Sequence, residues 1–319
     1  MNNTVIMHVN FAEFPRAGEF DGKSINDICR MAAELGYEGV EFRSRLPGCL
    51  GNATSEEYYR QIAEGKKKYG LKEILLGVVV ADCMNPDKEV RAEAVKTAIK
   101  KAQLISDLCG TTVCNTNAVP IRFTDTSIDP RAFEFHGSAA ATEEMWNLTV
   151  DTYQQIGKGL EPLGVKFAFE THMCYIHDLP DPTRRLVDLI DSPMIGINMD
   201  YGNTAYFPKK PTVTEAIDIY GDKLFYAHLK NSVNKQGCAL AEGEINHRCT
   251  SKNSATSALP ARSRSRHRAP ATADGSLSRI WHTTRRLWLH CNFNKIDKAD
   301  TGFSGICPFV IPGFRAGLH

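Results

Sequence analysis

Three short motifs in the middle of the chain carry residues suited to chemistry: Phe169-Glu-Thr-His172, Asn198-Met-Asp-Tyr-Gly-Asn203 and Tyr226-Ala-His-Leu-Lys-Asn231. Each closes a short apolar run of strand type. Each delivers a carboxylate or an imidazole where that run stops, namely Glu170, Asp200 and His228. Two carboxylates and one imidazole suit a divalent cation such as Mn²⁺, Mg²⁺, Co²⁺ or Zn²⁺, without choosing among them. Strand side chains alternate between faces, so Glu170 shares a face with Lys166 and Ala168, Asp200 with Gly196 and Asn198, and His228 with Leu224, Tyr226 and Lys230. The opposite faces are greasy and suit packing against helices. Charges on the remaining face are costly unless paired or bound to metal.

Each residue alone also has an ordinary structural use. Glu170 could pair with Lys230, Asp200 could cap the following loop, and His172, Asn115, Asn117 and Asn203 could be plain loop polar groups. Three ligand-type residues ending three consecutive strands favour one site over three coincidences. The earlier strands fit the pattern, with His8 beside Asn10 and Glu41 beside Arg43 on polar faces.

The elements that must position these residues alternate regularly up to about residue 245. The periodicity predicts strands at Thr4–Asn10, Tyr37–Arg43, Ile74–Val80, Thr111–Thr116, Val165–Glu170, Met194–Asp200 and Lys223–Leu229. Between them it predicts helices at Ser24–Leu35, with Ser24 as N-cap, and at Ser55–Tyr69, Lys88–Leu108, Thr142–Leu163, Pro182–Ile190 and Val213–Tyr220. Gly36, Gly70, Gly110 and Gly164 stop four of the helices. Seven β/α repeats of this kind imply a parallel sheet with crossover helices. The first strand ends in His8-Val-Asn10-Phe with no glycine-rich phosphate loop, which disfavours a doubly wound sheet. The expected class is α/β, a (β/α)8 TIM barrel with sites at the C-terminal strand ends.

Composition narrows the function classes. The formal net charge is +1, which points to neither nucleic acid nor membrane. No apolar run approaches the roughly 20 residues of a spanning helix. The N-terminus lacks a basic-then-apolar leader, and the ten cysteines form no CxxC pair. They read as reduced thiols of a cytoplasmic protein.

Taken together the motifs resemble the xylose isomerase-like barrel superfamily, specifically its sugar phosphate isomerase/epimerase group. The resemblance rests on Gly39-Val-Glu-Phe-Arg43, Phe167-Ala-Phe-Glu-Thr-His172, Gly196-Ile-Asn-Met-Asp-Tyr-Gly-Asn203, His228-Leu-Lys-Asn231 and Glu242-Gly-Glu-Ile-Asn-His-Arg248, over about residues 3–248. It implies a divalent metal held by Glu170, Asp200, His228 and a final Glu on the eighth strand. It implies a metal acting as Lewis acid on a sugar carbonyl and hydroxyl, with Glu170 as acid/base for the proton α to that carbonyl. His8, Asn10, Glu41, Asn115, His172, Asn203 and Lys230 are then expected to face a sugar or sugar phosphate substrate. No membrane or nucleic-acid partner is implied, and a homo-oligomer is compatible. A dehydratase of a keto-inositol or sugar acid is the alternative on the same barrel. A nuclease is disfavoured, because that branch uses more His ligands.

The chain departs from this pattern after residue 248. The last Glu is Glu244, and beyond it the only acids are Asp274, Asp297 and Asp300. Reread one base earlier, the codons of residues 258–273 permit Gly-Phe-Thr-Gly-Pro-Ile-Thr-Ile-Glu-Ala-Pro-Arg-Pro-Gly-Asp-Arg. The family continues with Ile-Glu-Ala-Pro-Arg-Pro-Gly-Asp at that place. The expectation is a one-base deletion near codon 248, a barrel over residues 1–248, an aberrant tail over 249–319, and an impaired enzyme. With the last β/α unit lost or disrupted, the barrel is expected to be open or badly closed between its first and seventh strands. Ile306–Ile311 could cover the gap only in part, because Pro308 and Pro312 limit its ladder. A non-enzymatic alternative gives Arg262, Arg264, Arg266 and Arg268 of the tail to RNA or DNA phosphates.

Overall fold

A computed structural model of the chain describes residues 5–9, 24–44, 55–125, 127–234, 236–238, 243–245 and 287–289. Strands β1 (Val5–His8), β2 (Gly39–Phe42), β3 (Glu73–Val79), β4 (Val113–Asn117), β5 (Lys166–Glu170), β6 (Ile195–Asp200) and β7 (Leu224–Leu229) run parallel in sequence order. The crossovers carry α1 (Ile25–Glu34), α2 (Ser55–Tyr69), α3 (Lys88–Cys109), α4 (Glu143–Leu160), α5 (Pro180–Ile190), the short α6 (Tyr201–Thr204) and α7 (Val213–Tyr220). The seven strands and the six longer helices are the predicted ones, with ends shifted by at most three residues, and α6 was not foreseen.

Local chemistry sets the ends. Ser24 caps α1, its hydroxyl accepting from Asp27 N–H at 3.1 Å, and Thr212 with Glu215 forms a capping box on α7. Gly110 stops α3 with φ of 66°, and Gly164, with φ of 63°, ends the single 3₁₀ turn Glu161–Leu163 that follows α4; both lie in the left-handed region where a β-carbon is strained. Helix-facing strand residues such as Met7, Val40, Phe42, Leu76, Phe167 and Ile197 pack into one large core with the helices. The barrel interior holds a smaller layer of Ile6, Leu75, Val113, Ala168 and Tyr226. Polar interior positions gather above that layer, at the C-terminal strand ends.

The closure differs from expectation. Leu287–Leu289, β10, lies parallel between β1 and β7 and completes the ring. Trp288 is in register with Ile6 on one side and His228 on the other. The barrel expected to be open or badly closed is closed, by three residues of the tail that pair with the two edges otherwise left exposed. The eighth unit is nonetheless disrupted, since this strand is only three residues long. Ile306–Ile311, the arginines 262–268 and the rest of the expected tail segment lie outside the described residues. A two-stranded antiparallel ribbon, β8 (Asn231–Val233) with β9 (Gln236–Cys238), follows β7 and was not foreseen. Among the described residues no helix is long and apolar enough to cross a membrane.

Candidate metal centre

Register brings the predicted residues together. Asp200 at the end of β6 pairs with His228 in β7, Glu170 at the end of β5 pairs with Asn198, and His8 pairs with Glu41. One oxygen or nitrogen from each of Glu170, Asp200 and His228 lies within 4.8 Å of the others. His228 Nδ1 is 3.6 Å from Glu170 Oε1 and 3.6 Å from Asp200 Oδ2. Its Nε2 meets Glu41 Oε2 at 2.8 Å. His8, Glu41 and His228 form a second group that meets the same 4.8 Å criterion.

The neighbours orient these groups. Asn115 Nδ2 donates to Glu170 Oε2 at 2.8 Å, and Asn203 Nδ2 reaches Glu170 Oε1 at 3.4 Å. Lys230 Nζ lies 3.0 Å from Asp200 Oδ2 and donates to Asn203 Oδ1 at 2.6 Å. Asp200 also caps α6, accepting from Asn203 N–H at 3.2 Å, so its ordinary structural use is present as well. Lys230 pairs with Asp200, whereas the ordinary reading paired it with Glu170.

Burial grades across the cluster. The Asp200, His228 and Glu41 side chains are at most 2% exposed, while Glu170 is 16% and Lys230 22% exposed. A small molecule entering the barrel mouth meets Glu170 and Lys230 first. Burial opposes charge on Glu170, but the hydrogen bond and charge of His228, with help from His172 and Lys230, hold its carboxyl well below the usual range. Burial likewise opposes the charge on Asp200, and Lys230 outweighs it, leaving that carboxyl low. Burial opposes the charge on His228, but the charge of Glu41 and the hydrogen bonds that the ring donates to Asp200 and Glu170 hold its pKa well above the usual imidazole range.

The other predicted residues are placed as follows. The His8 ring meets the His228 ring edge-on at 5.2 Å between centroids. Glu41, expected to face substrate, has its oxygens against His228 and, at 3.4 Å, Tyr226 OH. His172 turns its Nδ1 toward Met173 O at 3.0 Å and its ring edge toward Tyr175. Asn10 lies outside the described residues.

Sequence reasoning passed over three participants. Alternation placed Tyr226 and Asn198 on the face of His228 and Asp200, but neither was assigned a role at the site. His177 could not be found that way, since it sits in the loop after β5. Its buried ring meets Glu170 O at 2.8 Å through Nδ1 and accepts from Ala118 N–H at 3.1 Å through Nε2. Burial depresses its pKa to about 3, so it is a neutral brace under the Glu170 backbone.

This closed ring of parallel strands, with its polar cluster at the C-terminal ends, defines a (β/α)8 barrel protein. The sequence model of the xylose isomerase-like TIM barrel matches residues 29–268, and the chain belongs to that family. An inosose dehydratase of Bacillus thuringiensis (strain Al Hakam) is 21% identical over 239 residues, 72% of this chain and 75% of the relative. A xylose isomerase-like TIM barrel protein from Mycobacterium smegmatis, solved in complex with magnesium, superposes with a TM-score of 0.61 at 14% identity, covering 92% of this chain and 93% of that one. D-allulose 3-epimerase from Methylomonas sp., solved in complex with D-allulose, gives a TM-score of 0.58 at 13% identity, covering 92% and 85%. The chain is thus similar to both epimerases and dehydratases.

Proposed function

We propose that this chain carries the divalent-metal centre of a sugar or sugar phosphate isomerase/epimerase, and that it is impaired in this form. The observation that carries the reading is the approach of Glu170, Asp200 and His228 within 4.8 Å at the ends of three consecutive strands. The donor set fits a divalent cation. Asp200 Oδ2 lies 3.0 Å from Lys230 Nζ and 3.6 Å from His228 Nδ1, a carboxylate held by cations at the place where a divalent cation would sit. Bound there, a divalent cation supplies Lewis acidity to substrate carbonyl and hydroxyl oxygens.

The chain's own residues do the rest. Glu170 is partly open and its oxygens are oriented by Asn115 and Asn203, so it is placed to remove the proton α to a carbonyl. Glu41 holds His228 Nε2 and leaves Nδ1 toward Glu170 and Asp200, which makes it a positioning residue. Lys230, His8 and His172 remain the groups to orient substrate hydroxyls. Reversing the proton transfer on the other face of the substrate needs a second acid/base group. The family's eighth-strand Glu would supply it, but β10 reads Leu-Trp-Leu and no Glu follows Glu244. Cys29, Cys83, Cys109, Cys114 and Cys174 are buried free thiols, which suits a reducing cytoplasm.

The test compares this chain with a version restored by one base near codon 248, screened on ketoses and ketose phosphates with Mn²⁺, Mg²⁺, Co²⁺ and Zn²⁺. Loss of one proton-transfer group typically costs about 10²–10⁴-fold in rate. The restored version is expected to turn over by at least the lower figure faster, and equal turnover would contradict the reading. The second reading, a dehydratase, is favoured by the 21% identical inosose dehydratase. It uses the same proton removal followed by loss of water, so a product lighter by one water separates the two.

A further inference from the structure

At the barrel mouth the seam between β4 and β5 is held by a side chain. The two strands pair from Val113 with Lys166 to Thr116 with Phe169, and the pairing stops there, although β4 runs on to Asn117 and β5 to Glu170. Lys166 N–H donates to Thr112 O at 2.9 Å. In a parallel ladder the carbonyl of such a residue receives the N–H two positions further along the neighbour, and the pattern repeats every second residue. Followed to its end, it would join Ala118 N–H directly to Glu170 O. Those two groups are the ones that the His177 ring takes. Its Nε2 accepts from Ala118 N–H at 3.1 Å, and its Nδ1 meets Glu170 O at 2.8 Å. A backbone N–H can only donate, so Nε2 is bare, and the ring proton sits on Nδ1 and goes to the carbonyl. The imidazole is thus inserted where a backbone rung would be.

The ring is tightly held. His177 is fully buried, with the Phe169 ring at 4.9 Å and the Tyr175 ring stacked at 5.1 Å between centroids. On its β6 side Glu170 keeps a regular ladder: it pairs with Asn198, and Thr171 N–H donates to Asn198 O at 3.0 Å. On its β4 side the ring parts the two backbones, while Asn115 Nδ2 of β4 still donates to Glu170 Oε2 at 2.8 Å. The width of the imidazole therefore sets how far the Glu170 backbone stands from β4. It also sets where the carboxylate stands relative to Asp200 and His228.

We infer that His177 is a positioning residue of the metal centre, a wedge in the β4–β5 seam that holds Glu170 at the distance its carboxylate needs. The inference rests on the metal-centre reading. Without the ring, Ala118 N–H and Glu170 O are complementary, and the seam closes by one rung toward β4.

The test uses the full chain with isotope-labelled histidines. Stripped with chelator, it should show by nitrogen-resolved NMR one histidine with a slowly exchanging Nδ1–H and a bare Nε2, a signal missing from His177→Gln. Calorimetric titration then measures Mn²⁺ binding. Supports of metal ligands are typically worth about 10- to 100-fold in affinity, so His177→Ala should bind at least about tenfold more weakly. His177→Gln, whose amide can accept from Ala118 and donate to Glu170, should recover most of that loss. Leu186→Ala, a core change in α5, should lower stability to urea and leave Mn²⁺ affinity at the parent value. If His177→Ala does not fold, the parent decides: saturation with Mg²⁺ should move the His177 Nδ1–H resonance. The opposite tautomer, parent-like affinity in His177→Ala, an equal loss in Leu186→Ala, or a resonance unmoved by Mg²⁺ would overturn the inference. A parent that binds no metal would instead sink the metal-centre reading, while the tautomer, measured without metal, still reports on the wedge.

Discussion

His228 and Glu41 form a buried pair, with Nε2 and Oε2 2.8 Å apart and both side chains at most 2% exposed. One ring nitrogen is thereby committed, and the other faces Glu170 and Asp200. A carboxylate behind a metal-binding imidazole fixes its orientation and raises its basicity. Glu41→Ala is expected to weaken Mn²⁺ binding about 10- to 100-fold, the usual effect of removing such a partner. Glu41→Gln, whose amide oxygen can still accept from Nε2, should recover much of the loss. Calorimetric titration reads both, and parent-like affinity in Glu41→Ala would contradict the positioning role.

Lys230 reaches Asp200 by laying its stem over Gly202, where a β-carbon would overlap its Cγ, Cδ and Cε. Gly202→Ala should push the ammonium off Asp200 and Asn203. Overpacking a filled site typically costs about 1–3 kcal/mol, and urea denaturation should show a loss in that range. The same change in a Lys230→Ala background should cost less than half as much, because the obstructing stem is gone. Equal costs in the two backgrounds would show that Gly202 acts through something else.

Much of this was legible in the sequence for definite reasons. Glu170, Asp200 and His228 were found because two-residue alternation and strand ends are local properties, and the barrel turns them into one point. The same alternation put Glu41 on the polar face but could not say that its partner is His228, 187 residues away in the chain. That pairing depends on β1, β2 and β7 meeting around the ring. The closing strand was illegible because Leu287–Leu289 shows no flanking pattern, and its place is decided by the two vacant edges it satisfies.

Asp178 provides a pH test. Burial pushes its carboxyl up to about 6, from an ordinary 3.8. The folded-state value is the higher one, so between about pH 4 and 6 the folded chain binds this proton more tightly than the unfolded chain does. This group therefore adds stability as pH falls through 6 and withdraws it above. The ceiling is about 3 kcal/mol, from two units at 1.36 kcal/mol each. Asp178→Asn removes the dependence. Relative to its parent, the variant should be more stable at pH 7 than at pH 4.5, by about 1–3 kcal/mol in urea denaturation. The same difference at both pH values would contradict the assignment.

The central claim is that Glu170, Asp200 and His228 make one metal site. Its most direct measurement is a Mn²⁺ titration of the chelator-stripped full chain, followed by calorimetry and by electron paramagnetic resonance of free Mn²⁺. Three variants accompany the parent: Glu170→Gln, Asp200→Asn and, as a control outside the cluster, Glu134→Gln. The parent and the control should show a single saturable site. Each ligand variant should bind at least about tenfold more weakly, a loss of roughly 1.4 kcal/mol. Parent-like binding by Asp200→Asn, or no saturable binding by the parent, would contradict the claim.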